Sequence, residues 1–194
     1  MRQYFDGPLA DSLITPQAAI APGVVQTSLL TVAQANKYLP LPYGQNAPSP
    51  GSVFKIRMGG ICTTVSGNVY FIVYHGPGTT PTAFGTPIAV GPACVTPVAA
   101  SGSWLIEGTL VYRSISEVTG QSVCWFNGFI TINPISSPLV AAVHAILQSL
   151  PTQGVVDTTG NGAAGSFGAL NISVIDNNPG STWTTDFAFS ESVN

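Results

Sequence analysis

From Val53 onward the chain is a succession of short runs in which apolar and polar residues alternate, each run cut off by glycine or proline. A side-chain period of two belongs to a β-strand with one face buried. In Val53–Met58 it places Val53, Lys55 and Arg57 on one face and Phe54, Ile56 and Met58 on the other. In Trp104–Ser114 it places Trp104, Ile106, Gly108, Leu110 and Tyr112 on one face, with Glu107, Thr109 and Arg113 opposite. Val69–His75, Val123–Ile132, Leu170–Asp176 and Trp183–Phe189 are rich in β-branched and aromatic residues and read as further strands. Short strands at this spacing, with turn signals between them, predict an all-β antiparallel sandwich.

Several local expectations follow. Ser66-Gly67-Asn68 predicts a hairpin turn between Val53–Ser66 and Val69–His75. Gly59-Gly60 predicts a bulge or a close backbone approach. Gly76–Pro97 reads as a long loop holding a short strand at Ile88–Val90. Pro138–Leu150 suits a short helix by its length and alanines, with an edge strand as the alternative. Val155–Asp157 completes the strands, and Gly160–Gly168 is loop-like.

Residues 1–51 differ. Prolines at 8, 16 and 22 interrupt any period, and Leu39–Gly51 holds four more. This predicts an extended N-terminal arm and proline-rich linker over residues 1–51, with a short helix within Ser28–Tyr38, followed by the sandwich over 52–194. The arm carries Tyr4, Phe5, Leu9, Leu13, Ile14, Leu29, Leu30 and Tyr38. That is too much apolar surface for a solvated tail. These eight residues are therefore the expected contacts to a neighbouring subunit or a capsid. Deleting residues 1–38 is expected to leave a folded β domain.

Composition narrows the function classes. Only 7% of the 194 residues are charged, against about 25% in an ordinary soluble domain. With a mean hydropathy of +0.35, much neutral surface is left to be covered, which predicts a homo-oligomer. The five basic residues, Arg2, Lys37, Lys55, Arg57 and Arg113, form no cluster, so no nucleic-acid partner is expected. No run approaches the roughly 18 apolar residues of a membrane span, and Met1–Ala10 lacks a signal-peptide pattern. Cys62, Cys94 and Cys124 lie far apart among apolar neighbours. They read as buried thiols, in keeping with synthesis in a reducing cytoplasm.

Candidate chemistry is sparse. His75 and His144 have no metal-ligand spacing around them. Gly102-Ser103-Trp104 is only a fragment of a nucleophile elbow. Glu107 and Glu117 stand ten residues apart, too far along an extended chain to act as a catalytic pair; Glu107 is expected to face Arg57 or Arg113 across the sheet. Asp157-Thr158-Thr159-Gly160-Asn161 and Asp176-Asn177-Asn178 read as turns rather than calcium loops. Gly160-Asn161-Gly162 lacks the Lys-Ser/Thr of a phosphate loop. Tyr43, Trp125 and Trp183 suit sugar stacking or, more simply, packing. No catalytic, cofactor-binding or metal residue is assigned, and no enzyme activity is expected.

Three motifs stand in order along the sandwich: Phe54-Lys55-Ile56-Arg57 leading to Gly60 and Thr63-Thr64; Trp104-Leu105-Ile106-Glu107-Gly108-Thr109-Leu110-Val111-Tyr112-Arg113-Ser114-Ile115; and Val156-Asp157-Thr158-Thr159-Gly160-Asn161 before two closing strands. Over residues 53–194 this resembles the jelly-roll virion proteins of tailed bacteriophages, the group that includes capsid decoration (cement) proteins and related head or tail surface proteins. The resemblance implies a jelly-roll subunit, usually trimeric, bound to a capsid lattice on the virion surface, and no chemistry. The expected function is a non-enzymatic decoration protein that stabilises the head shell. A carbohydrate- or receptor-binding module of a head or tail fibre is the alternative, as is a jelly-roll shell subunit.

Overall fold

The computed structural model describes residues 19–22, 25–39, 50–65, 67–75, 86–96, 100–115, 121–134, 142–149, 155–157, 169–178 and 180–193. Along the chain these form β1 (Thr27–Ser28), α1 (Val32–Tyr38), β2 (Val53–Thr64), β3 (Gly67–His75), β4 (Thr86–Val90), β5 (Cys94–Thr96) and β6 (Ala100–Ile115). Then follow β7 (Gln121–Pro134), β8 (Val143–Ser149), β9 (Val155–Asp157), β10 (Leu170–Asp176) and β11 (Thr182–Ser192). All strand pairs are antiparallel. The order is β1-β10-β3-β4-β8-β7-β6-β2-β11, with β5 beside β3 and β9 beside β7.

The pairs β2–β11, β3–β10, β4–β8 and β6–β7 are nested one inside the next along the sequence. That is the rolled double ribbon of a jelly-roll-type β-sandwich. One layer is β10–β3–β4 and the other is β11–β2–β6–β7, with β8 joining them. Between the layers Trp183 of β11 packs edge-on against Phe71 of β3, ring centres 5.5 Å apart, and against Trp104 of β6 at 6.3 Å. Both indoles are satisfied: Trp104 Nε1 donates to the Thr184 carbonyl at 3.1 Å and Trp183 Nε1 to Asp176 Oδ2 at 3.4 Å. Burying such rings supplies much of the non-directional drive for closing the sandwich.

The hairpin expected between Val53–Ser66 and Val69–His75 is corrected. β2 pairs with β6 and β11, and β3 with β10, β4 and β5. The register runs on across the corner, Thr63 facing Thr182 and Val69 facing Asp176. One long ribbon therefore bends from one layer into the other, and the chain does not reverse. A glycine-rich signal marks a place where backbone direction can change; it does not say by how much. The bend is held by Val65 N donating to Ser181 Oγ at 3.1 Å and by Asn177 N donating to the Asn68 carbonyl at 3.1 Å. Asp176-Asn177-Asn178 is a turn, as read: Asn178 N donates to Asp176 Oδ1 at 2.9 Å.

At Gly59-Gly60 both expected features occur. A bulge lies opposite, between Thr185 and Phe187 of β11. A Cβ added to Gly60 would stand 1.8 Å from the Thr184 carbonyl oxygen, so no side chain fits there. The segment 143–149, for which a helix was the first expectation, is instead strand β8, paired with β7 along six positions. Its one alanine, Ala145, packs inward and is buried, and tertiary pairing overrides a weak helical preference.

The described residues 19–22 and 25–28 lie on this chain's own sandwich. Ile20 bridges Trp183 of β11 through two 2.8 Å backbone bonds. β1 pairs with β10, and Leu29 N donates to the Ile172 carbonyl at 2.9 Å. Thr185 Oγ1 of β11 donates to the Leu29 carbonyl at 2.7 Å. The segment thus ties together the two strands that end the sheet. α1 follows as a capping-box helix, shorter than Ser28–Tyr38. Gln34 N donates to Thr31 Oγ1 at 3.2 Å, and Thr31 N donates to Gln34 Oε1 at 3.0 Å. Leu29, Leu30, Ala35, Tyr38 and Leu39 all lie in the common core.

This corrects two expectations. The folded unit includes residues 27–39 and does not begin at residue 52. Leu29, Leu30 and Tyr38, expected to contact another subunit, are buried inside their own; the proline-rich composition obscured how few apolar positions are needed to plug a seam. Tyr4, Phe5, Leu9, Leu13 and Ile14 lie outside the described residues.

Candidate interaction surface

Outward side chains of the β11–β2–β6–β7–β8 layer stand in straight cross-strand rows. One row runs Phe189, Arg57, Glu107, Phe129, Ile146. The next runs Glu191, Lys55, Thr109, Asn127, Gln148. All of these but Gln148 line a shallow depression of about 630 Å³. Its charges, Lys55, Arg57, Glu107 and Glu191, cancel. Arg57 Nε lies 2.9 Å from a Glu107 carboxylate oxygen, with the side chains 50% and 34% exposed. That is the cross-strand partner expected for Glu107.

The rows are flanked by more apolar surface. Among the described residues nine large hydrophobic side chains are exposed, and five of them, Ile61, Val123, Trp125, Phe129 and Ile146, face outward on this one layer. Ile61 and Ile146 are each 56% exposed. The Arg113 guanidinium lies 5.9 Å from the centre of the Trp125 ring, a cation–π contact at the rim of the face. Scattered single hydrophobics are ordinary on a protein surface; five on one sheet face, on either side of the polar Lys55 row, make that face a candidate interaction site.

The other sequence candidates are placed as follows. His75 is buried, its Nε2 2.7 Å from the Tyr112 hydroxyl, and the pair spans the two layers. Burial pushes the Tyr112 hydroxyl well above its ordinary range, with a smaller contribution from Cys124. His144 is exposed beside Phe129's row, with Nδ1 3.0 Å from Thr131 Oγ1. Trp183 is core, while Trp125 is surface. Cys62, Cys94 and Cys124 are free, buried thiols. Burial pushes Cys62 up to about 12, helped by the nearby Asp176 charge; it raises Cys94 to about 11 and Cys124 to about 12. Thiols of this kind are neither nucleophiles nor metal ligands at neutral pH. Among the described residues no three His, Cys, Asp or Glu side chains converge as a metal site, and no helix is long and apolar enough to cross a membrane. Glu117, Tyr43 and the loop after Asp157 lie outside the described residues.

The outward apolar residues Phe129, Ile146, Ile61 and Phe189 were not singled out from sequence. A signal was present. Val123–Ile132 and Val143–Leu147 do not alternate, as if buried on both faces. In an antiparallel sandwich with one layer to a side, a strand of that kind presents its second apolar face to the outside. Compared with models of known families, with curated proteins and with solved structures, the chain matches none.

Proposed function

We propose that this chain is a non-enzymatic structural component of a bacteriophage virion, a capsid decoration protein that self-associates and binds the head shell. The observation that carries the reading is the apolar outer face of the β11–β2–β6–β7–β8 layer, in a chain with only 7% charged residues. A surface of that kind is suited to a large neutral contact between copies, and a multimer bound to a repeating lattice gains avidity without further contacts. The rigid sandwich behind it keeps the face in shape, so little ordering entropy is lost on binding. The sequence resemblance to jelly-roll virion proteins supplies the setting.

The test is purification of particles from cells that produce this chain, with immunogold electron microscopy and quantitative mass spectrometry. The expected result is label on the head at many copies per particle. Absence from purified particles overturns the proposal, and label confined to a tail tip replaces it with a receptor-binding role.

A further inference from the structure

The order of side chains across the bare layer has a property that its apolar character alone does not require. From β11 to β7 one row reads aromatic, cation, anion, aromatic: Phe189, Arg57, Glu107, Phe129. A two-fold axis running parallel to the strands, midway between β2 and β6, turns that row onto its own complement. Phe129 of one copy then meets Phe189 of the other, and Arg57 meets Glu107. In the adjacent row Lys55 meets Thr109 and Glu191 meets Asn127, a donor against an acceptor each time.

We infer that the outer face of the β11–β2–β6–β7 layer is an isologous interface, occupied by the same face of a second copy of this chain. In an isologous contact each residue meets its counterpart twice, so complementarity has to be internal to one patch. The four charges satisfy that condition. They sum to zero within the patch, and the two-fold brings each Arg57 within reach of two carboxylates. Two Arg57–Glu107 pairs brought together in this way form an alternating square of charge, which avoids burying an unpaired ion. The two depressions enclose that square in a shared chamber, and the Phe129–Phe189 contacts wall it on both sides.

The face is at the small end for a stable contact. Strands about 4.8 Å apart and four rows about 6.8 Å apart give a face of about 500 Å² in projection, and more with side-chain relief. A standard interface buries about 800 Å² of accessible surface per partner. This inference concerns the chain alone and does not depend on the virion assignment. It sets a two-fold contact where the resemblance implies a three-fold one.

The experiment is sedimentation equilibrium of the wild-type protein and of R57E and E107R, alone and mixed in equal amounts. Wild type is expected to sediment as a dimer, at twice the 20.0 kDa of the chain. Each single charge reversal puts like charges across the axis and weakens association at least about a hundredfold. The mixture restores a heterodimer, because each variant then supplies what the other lacks. F129E, at a side chain already 44% exposed, keeps the test open if either charge variant misfolds; it too is expected to be monomeric. Wild type that remains a monomer at tens of micromolar, a trimer insensitive to F129E, or a mixture that stays monomeric each overturns the inference.

Discussion

The two outer faces of the sandwich have opposite histories of cover. On the β10–β3 side two outward residues of β10 are polar and yet buried. Asn171 and Ser173 of β10 are sealed from solvent. Ser28 Oγ donates to Asn171 Oδ1 at 2.5 Å, and the Gln26 amide donates to Ser173 Oγ at 2.7 Å and to the Tyr74 hydroxyl. On the β2–β6–β7 side Ile61, Val123, Trp125 and Phe129 point outward and are exposed, beside the Arg57–Glu107 pair. A monomer adapted to water would show the reverse. The polar face is covered by the chain's own N-terminal segment through specific hydrogen bonds, each of which would be costly to leave unmade. The apolar face is left for a contact in which area and shape matter more than individual bonds.

The largest effect expected from breaking this contrast is on the covered side. Removing residues 1–39 takes away Leu29, Leu30 and Leu39, each fully buried and each worth about 2 kcal/mol of transfer alone. It also strips the edge partners of β10 and β11. Against a typical domain stability of about 5–15 kcal/mol, the truncated chain is expected to lose its cooperative thermal transition. The single change Leu30→Ala should cost about 2–5 kcal/mol by denaturant titration. A sharp melt from the truncated chain would show that the seam closes without its plug.

A second test asks whether the bare layer is bare only on its outside. Cys62 and Cys124 lie on its inner surface and Cys94 under the other layer. All three thiols titrate higher in the folded chain than the ordinary 9.0, at about 12, 12 and 11. Above pH 9 the unfolded chain therefore releases protons that the folded chain retains, so stability falls as pH rises from 9 towards 12. The expected outcome is a steep alkaline loss of denaturation midpoint, made shallower by replacing the three cysteines with alanine and compared against each variant's own neutral value. At pH 7 the wild-type thiols should resist a thiol reagent until the protein unfolds.

The smallest effect separates the two surfaces of one layer. Ile130 on β7 points inward and is buried, while Ile146 on β8 points outward. Ile130→Ala is expected to cost about 2–5 kcal/mol, and Ile146→Ala to change stability by less than about 0.5 kcal/mol. Equal costs would mean that the outward residues already have an intramolecular cover.

The strands and their inward faces were readable because period two is a local property: Phe54, Ile56 and Met58, or Trp104 and Ile106, declare their side without reference to any neighbour. Pairing is not local. Whether β3 turned back on β2 or continued the ribbon towards β10 depended on residues a hundred positions away, and Ser66-Gly67-Asn68 looks the same in either case. The seam was missed for the same reason. Leu29 and Leu30 sit in a segment without period, and a plug needs none, because it fills a gap defined by other strands. That Glu107 faces a basic residue was legible from parity; that the residue is Arg57 and not Arg113 followed only from the β2–β6 pairing. The row that contains it became visible only once four strands had been set in register.

The N-terminal segment also fixes when the molecule can be finished. Ile20 and Leu29 leave the ribosome well before their partners Trp183, Ile172 and Thr185. Until β10 and β11 have left the ribosome, Leu29, Leu30 and Leu39 have no interior to enter, and the sheet that will receive them lacks both of its ends. Contacts of such sequence separation form slowly, and at ribosomal rates of about 5–20 residues per second the early leucines wait for many seconds. A nascent chain of this design spends that interval with these leucines exposed, and it is a natural client for whatever holds unfolded chains apart in the cell that makes it.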